Sequence, residues 1–436
     1  MLTLVDERGF EGATIAELAR RSLLPASSVY WHFSSKDEIV AAAIRYSYDE
    51  RFGDRLPWPE EPDDRPLVDQ LVDALGYLEG DGSEADYIRI GLALSLQRDS
   101  SAPAARSVFL EIRQEAKRRL GAWWALVLER QAGGPCDPRA AEAMARLTLA
   151  VLDGRYLTGR DVHLVPENTR VLALLLAGVA DYYAAGGAVP HDEVVTPPGE
   201  RTFTRTVEPG REALLAAAID VLCDHGYPGT TVARICERAG LPASSLYWHF
   251  KDLEALLAEA VDTAFERWAL LSQPLPDQVS TDYRAAVAGT LRAGFRSMLE
   301  EPAVFRIGFM LLLQRGESEA RRRFRRIRYD VSLRNAAALA EWLGVETPQG
   351  SAVDVATGSL PGMLSWAMMT LSDGLFMVET VSPLWDMTDA SDVIAEALES
   401  VMAELSGRAD AARTDAVRTD AARTDADLTV ADRSAS

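Results

Sequence analysis

Two ten-residue stretches hold the side chains best placed for chemistry. Leu24-Pro-Ala-Ser-Ser-Val-Tyr-Trp-His-Phe33 and Leu241-Pro-Ala-Ser-Ser-Leu-Tyr-Trp-His-Phe250 differ at one position. On a helix, Val29 and Phe33 fall four residues apart on one face, as do Leu246 and Phe250. Ala26, Ser27, Ser28, Tyr30 and His32 then face outward, with Ala243, Ser244, Ser245, Tyr247 and His249 in the second copy. Small residues at a helix start let a backbone come close to a nucleic-acid groove. Hydroxyls bond phosphates or base edges, and Tyr and His reach phosphates at the rim. A purely packing role fits less well. The single difference between the copies is the inward Val29/Leu246, whereas the outward residues are identical. Turnover chemistry has little to stand on. None of the five histidines makes an HExxH or HxH pattern, and there is no Gly-rich phosphate loop or GxSxG elbow. No catalytic residue, metal ion or cofactor is expected.

Short helices must position these side chains. Thr14-Ile-Ala-Glu17 reads as a capping box, with the threonine oxygen capping the helix start and Glu17 reaching back. Thr231 offers the same cap, with Arg234 in place of the acid. A turn follows, at Gly240 in the second copy. Pro25 and Pro242 then suit the first turn of the next helix. A helix, a tight turn and a second helix with small polar residues at its start make a helix-turn-helix.

The motif repeats because nearly the whole chain repeats. Shifted by about 217 positions, the sequence matches itself from Gly9 to Arg98 against Gly226 to Arg315. After small gaps Asp153-Gly154 meets Asp373-Gly374, giving units of roughly 1–187 and 209–406. The boundaries expected are a short head at 1–47, a bundle at 48–187, a turn-rich linker at 188–208, a second head at 209–264 and a second bundle at 265–406. Residues 407–436 repeat Ala-Ala-Arg-Thr-Asp and carry too little apolar surface to fold, so a disordered tail is expected. Apolar residues recur at helical spacing throughout, with helices expected at 39–52, 66–79, 84–98, 104–131, 139–159 and 168–186. The second set is expected at 253–271, 281–300, 303–315, 318–343, 352–380 and 389–406.

The 436 residues carry a net charge of −21, which argues against a nonspecific nucleic-acid coat but leaves room for a small reading module. Residues 1–47 hold about as many acids as bases, so few phosphate contacts and a modest salt dependence are expected. Three cysteines make no disulfide framework. No signal peptide and no span long enough to cross a bilayer is present, which reads as a cytoplasmic protein without a membrane partner.

Thr14, the Leu-Tyr-Trp-His-Phe-like run and Ser35-Lys36-Asp37-Glu38 resemble the tetracycline-repressor-like (TetR) family of bacterial transcription factors. The resemblance implies an all-α fold of two fused TetR-like units. Each is a three-helix head followed by a helical ligand-binding and dimerisation bundle. It also implies that Thr14 and Thr231 bond phosphate, that Ala26, Ser27, Ser28, Ala243, Ser244 and Ser245 face bases, and that Tyr30, His32, Tyr247 and His249 grip the backbone. Lys36 matches the family's phosphate-binding lysine, and Lys251 stands near the position that Leu253 occupies in the second unit. The partners implied are a double-stranded DNA operator and a small-molecule effector. The two bundles would form an intramolecular pseudo-dimer through 139–186 and 352–406, with a further homodimer open. Trp366 and Phe376 are the residues expected to touch a ligand. Two departures stand out: Leu23 occupies the turn position held by Gly240, and Met1 aligns with Ala218. The second implies either an upstream start or a weakened first head. The leading expectation is a ligand-responsive repressor. The alternative is a ligand-binding or interaction module whose DNA binding has decayed.

Overall fold

The computed structural model describes residues 1–52, 58–77, 87–158, 166–189, 209–269, 283–381 and 390–405. The expected linker from 190 onward and the tail lie outside the described residues. Among those described there is helix and no strand.

The first unit opens with α1 (Leu2–Gly12), α2 (Ile15–Ser22) and α3 (Ala26–His32). Its bundle is α4 (Lys36–Phe52), α5 (Leu67–Tyr77), α6 (Tyr87–Leu96), α7 (Pro103–Ala132), α8 (Pro138–Thr158) and α9 (Pro166–Ala184). The order then recurs. A second head comprises α10 (Pro209–Gly229), α11 (Val232–Ala239) and α12 (Ala243–His249). The second bundle is α13 (Leu253–Ala269), α14 (Tyr283–Glu300), α15 (Pro302–Leu312), α16 (Glu319–Leu343), α17 (Ala352–Gly358) and α18 (Leu360–Val381). A last helix, α19, covers 391–405.

The sequence reads 352–380 as one helix, but the chain turns out of helical geometry at Ser359 (φ −152°, ψ 154°). Pro361 explains the break. It has no N–H to give the carbonyl four residues back, and it fits only in the first turn of a new helix.

In each bundle an acidic side chain on the first helix caps the start of a later one. Asp37, in the first turn of α4, accepts from the backbone N–H groups of Ala104 (2.7 Å) and Ala105 (2.9 Å) at the start of α7. Glu254 does the same in the second unit, accepting from Glu319 N–H at 2.6 Å. Both carboxylates satisfy orphan donors at a helix N-terminus, where the helix dipole also favours negative charge.

The two bundles share one core. α8 is buried on nearly every side, as expected of a helix sandwiched between layers. It crosses α18 at two equivalent glycines. A Cβ on Gly154 would lie 1.7 Å from the Thr370 carbonyl oxygen, and one on Gly374 would lie 1.7 Å from that of Ala150. No side chain larger than hydrogen fits there. Alongside, the hydroxyls of Thr158 and Thr370 meet at 3.2 Å. α9 approaches α19 where Gly178 faces Ala397. Asp153 and Asp373, each beside its glycine, hold Arg113 (2.5 Å) and Arg328 (2.6 Å) in buried ion pairs.

A second set of cross-links joins the units nearer the heads. Arg89 donates to the Leu313 carbonyl at 2.9 Å, and Arg306, its counterpart in the repeat, donates to that of Leu96 at 2.8 Å. Asp6 of α1 is ion-paired with both Arg89 and Arg315.

Candidate nucleic-acid interface and a bundle cavity

Each head builds its exposed helix in the same way. Thr14 Oγ1 accepts from the Glu17 N–H at 3.2 Å, and Thr231 Oγ1 from the Arg234 N–H at 3.3 Å. Each hydroxyl oxygen accepts in this cap, which leaves its own hydrogen available to donate. Glu17 does not close the capping box by reaching back. It binds Arg20 (2.6 Å) and Arg21 (3.1 Å) instead, and these guanidiniums lower its carboxyl to about 2. In the second head the Arg234 guanidinium reaches back to the Gly229 carbonyl at 2.6 Å.

The turn between the paired helices differs in cost. Gly240 takes a left-handed φ of 67°, and Leu23 takes 58° at the equivalent place. A side chain in that region is strained, and Leu23 is also 90% exposed, so burial does not offset the strain.

Val29 and Leu246 are buried, while Ala26, Ser27, Tyr30 and His32 are exposed, as are Ala243, Ser244 and Tyr247. Ser28, Ser245 and His249 are half-buried. The sequence reading assigned no outward role to Trp31 and Trp248. They are 82% and 83% exposed, the most open aromatic side chains on the two helices. Their signal was available: one residue after the outward Tyr and two after the inward Val or Leu, an indole falls on neither packed face.

The heads differ in their supporting contacts. Lys36 is half-buried and donates to the Phe10 carbonyl at 2.7 Å, with its ammonium 4.1 Å from the Phe10 ring centre. A phosphate would have to draw it off both. Lys251 has an exposed side chain and only a 4.0 Å approach to Asp252. In head two the first turn of α10 closes over the end of α12. Arg211 pairs with Glu259 and lies over the Phe250 ring, and Gly210 approaches His249. Phe250 is buried there, whereas Phe33 in head one is half-buried.

The basic run Arg321–Arg328 is largely internalised or paired. Arg322 and Arg323 bind Glu319, Arg325 binds Glu317 and Arg328 binds Asp373. Behind Arg328, α13, α14, α15, α16 and α18 line a cavity of about 270 Å³, walled by Phe265, Trp268, Phe295, Phe305 and Met369. Trp366 and Phe376, the expected ligand contacts, are buried and stand outside this lining. Phe376 packs behind the wall, 5.5 Å from the Phe305 ring. Helical spacing identified the element, but the face it turns to the cavity is set by the crossing with α8. Burial pushes the Asp373 carboxyl up, against the pull of Arg328. Among the described residues no group of His, Cys, Asp and Glu is arranged to hold a metal ion. None of their helices is long and apolar enough to cross a membrane.

Residues 2–43 and 214–260 each match the family described as bacterial regulatory proteins, tetR family. Both matches fall mainly on the helix-turn-helix heads. The chain is 34% identical over 89 residues to the tetracycline repressor protein class C of Escherichia coli, covering 20% of this chain and 39% of that protein. It is 33% identical over 86 residues to the tetracycline repressor protein class A from transposon 1721 of Escherichia coli, covering 20% and 38%. The chain thus spans about two fifths of the length of the curated relatives it matches.

Proposed function

We propose that this chain is a sequence-specific DNA-binding transcriptional regulator, a ligand-responsive repressor whose two heads act as a single-chain pseudo-dimer. The observation that carries the reading is the duplicated exposed surface of α3 and α12. Ala-Ser-Ser at the helix start and Tyr, Trp and His beyond it occur identically on two heads held by one core. Base contacts come from the first turn of each helix. Phosphate contacts come from Thr14 and Thr231 at the caps and from Tyr30, His32, Tyr247 and His249 at the far ends, with Lys36 and Lys251 beside them. Two heads with matching surfaces read two similar half-sites, about one helical turn or 34–36 Å apart. Their differing second helices, Glu17 against Arg234, make the site imperfectly symmetric. A small molecule in a bundle changes operator affinity only if it binds the two head arrangements unequally.

Selection of bound fragments from a random DNA library, followed by footprinting, tests this. Two related half-sites protected by one chain support it. No enrichment at low salt overturns it in favour of an interaction module with decayed heads.

A further inference from the structure

We infer that the cavity of the second bundle takes one apolar molecule bearing a carboxylate, held by Arg334 and Asn335, and that the first bundle has no equivalent site. This rests on the ligand-responsive reading above and names the class and place of the ligand. The body of the site is apolar: four phenylalanines, Trp268 and three methionines line it, at the small end of ligand-pocket volumes. A one- or two-ring acid, or a short fatty acid, matches that size. The two polar groups are what set the class.

Arg334 lines the cavity and is exposed, so it stands at the opening. Its Nε donates to the backbone carbonyl of Asp330 at 3.3 Å, and among the described residues no carboxylate pairs with it. In a chain of net charge −21 whose other cavity-lining arginine, Arg328, is bound to Asp373, that is a cation held in reserve. Asn335 is half-buried beside it.

The repeat supplies an internal control. In the register that lays Phe109, Ile112 and Arg113 over Phe324, Ile327 and Arg328, Arg119 is the counterpart of Arg334, and Glu115, one turn earlier, neutralises it at 2.5 Å. Glu115 is replaced by Asp330, whose shorter side chain leaves Arg334 free. Leu120, fully apolar and buried, takes the place of Asn335. Phe265 and Val304 correspond to Tyr48 and Tyr87, both buried with ring centres 5.8 Å apart. The first bundle has thus filled the space and cancelled the charge that the second keeps. An anion there would bond a guanidinium and an amide N–H at once, a charge-assisted arrangement. The cavity also adjoins the crossing between the units. Met369, Ser372 and Asp373 line it, while Thr370 and Gly374 of the same helix press on α8.

The test is calorimetric titration of the full chain with benzoate, 2-naphthoate and decanoate, each beside its matched alcohol. At least one acid should bind at one site per chain and about tenfold or more tighter than its alcohol. Arg334→Gln should remove that advantage and leave the alcohol unaffected. Gly294→Leu should abolish both, because a Cβ at Gly294 meets no atom within 4 Å and the side chain can occupy the cavity. Arg334 is exposed, so its variant tests the class even if Gly294→Leu fails to fold. Acid and alcohol binding alike, two sites per chain, no binding by any acid, or indifference to Arg334→Gln overturns the inference. Operator affinity is measured separately with and without the bound acid. Binding in the cavity without any change in DNA affinity sinks the ligand-responsive reading and leaves the site standing.

Discussion

At the residue scale, the two heads present the same surface on unequal supports. Phe250 is buried beneath Arg211, and His249 is half-buried, whereas Phe33 is half-buried and His32 exposed. A reading side chain that is already fixed loses less freedom on binding. His249→Ala is therefore expected to weaken operator binding by about tenfold and His32→Ala by less, while Tyr30→Ala and Tyr247→Ala, equally exposed, should cost the same. Fluorescence anisotropy on a selected operator fragment measures this; equal losses for the two histidines would refute the ranking. Leu23 gives a second prediction. Glycine at its left-handed position relieves roughly 1 kcal/mol of backbone strain. Leu23→Gly should slow amide hydrogen exchange across α2 and α3, and faster exchange would show that Leu23 is held by contacts rather than tolerated.

At the element scale, the sequence made some features plain and left others hidden. Helices with a buried stripe and a capping threonine were legible, because periodicity and caps are local. The break at Ser359 was signalled by Pro361, yet the apolar run on both sides masked it. Asp37 and Glu254 could not be assigned from spacing, since each caps a helix more than sixty residues away. The cavity was hidden for the same reason: which face of α18 points inward is decided by its crossing with α8. Glu17 shows how a local motif is redirected by neighbours. Bound to Arg20 and Arg21, its carboxyl titrates at about 2 rather than near 4.5. A carboxyl lowered in the folded state releases its proton more readily there than in the unfolded chain. Its stabilisation is therefore full above about pH 4.5 and fades as pH falls toward 2. Glu17→Gln should flatten the acid limb of head-one stability, followed by amide exchange of α2 between those limits. An unchanged limb would mean the ion pairs add nothing to the fold.

At the scale of the whole molecule, the two repeats touch through packed helices as well as through the chain that links them. Gly154 and Gly374 let α8 and α18 touch backbone to backbone, and Arg89 and Arg306 reciprocally reach across the pair nearer the heads. Buried side chains of α8 and α9 pack against α18 of the other half as well as against α5 and α7 of their own, and each large side chain so buried contributes about 1.5–3 kcal/mol. Fusion then does one thing above all: it raises the effective concentration of each half for the other, so that pairing is independent of how many chains are present. A protease site placed between residues 190 and 208 tests this directly. After cleavage the halves are expected to elute together in size-exclusion chromatography and to keep operator binding. Gly154→Val forces side-chain atoms into the Thr370 carbonyl, at a cost of about 3 kcal/mol or more. In the cleaved protein that variant should separate the halves and abolish two-site protection, while the uncleaved variant retains weakened binding because the tether still holds the heads near one another. Halves that part without the mutation would show that the tether, not the crossing of α8 and α18, makes one reader out of two.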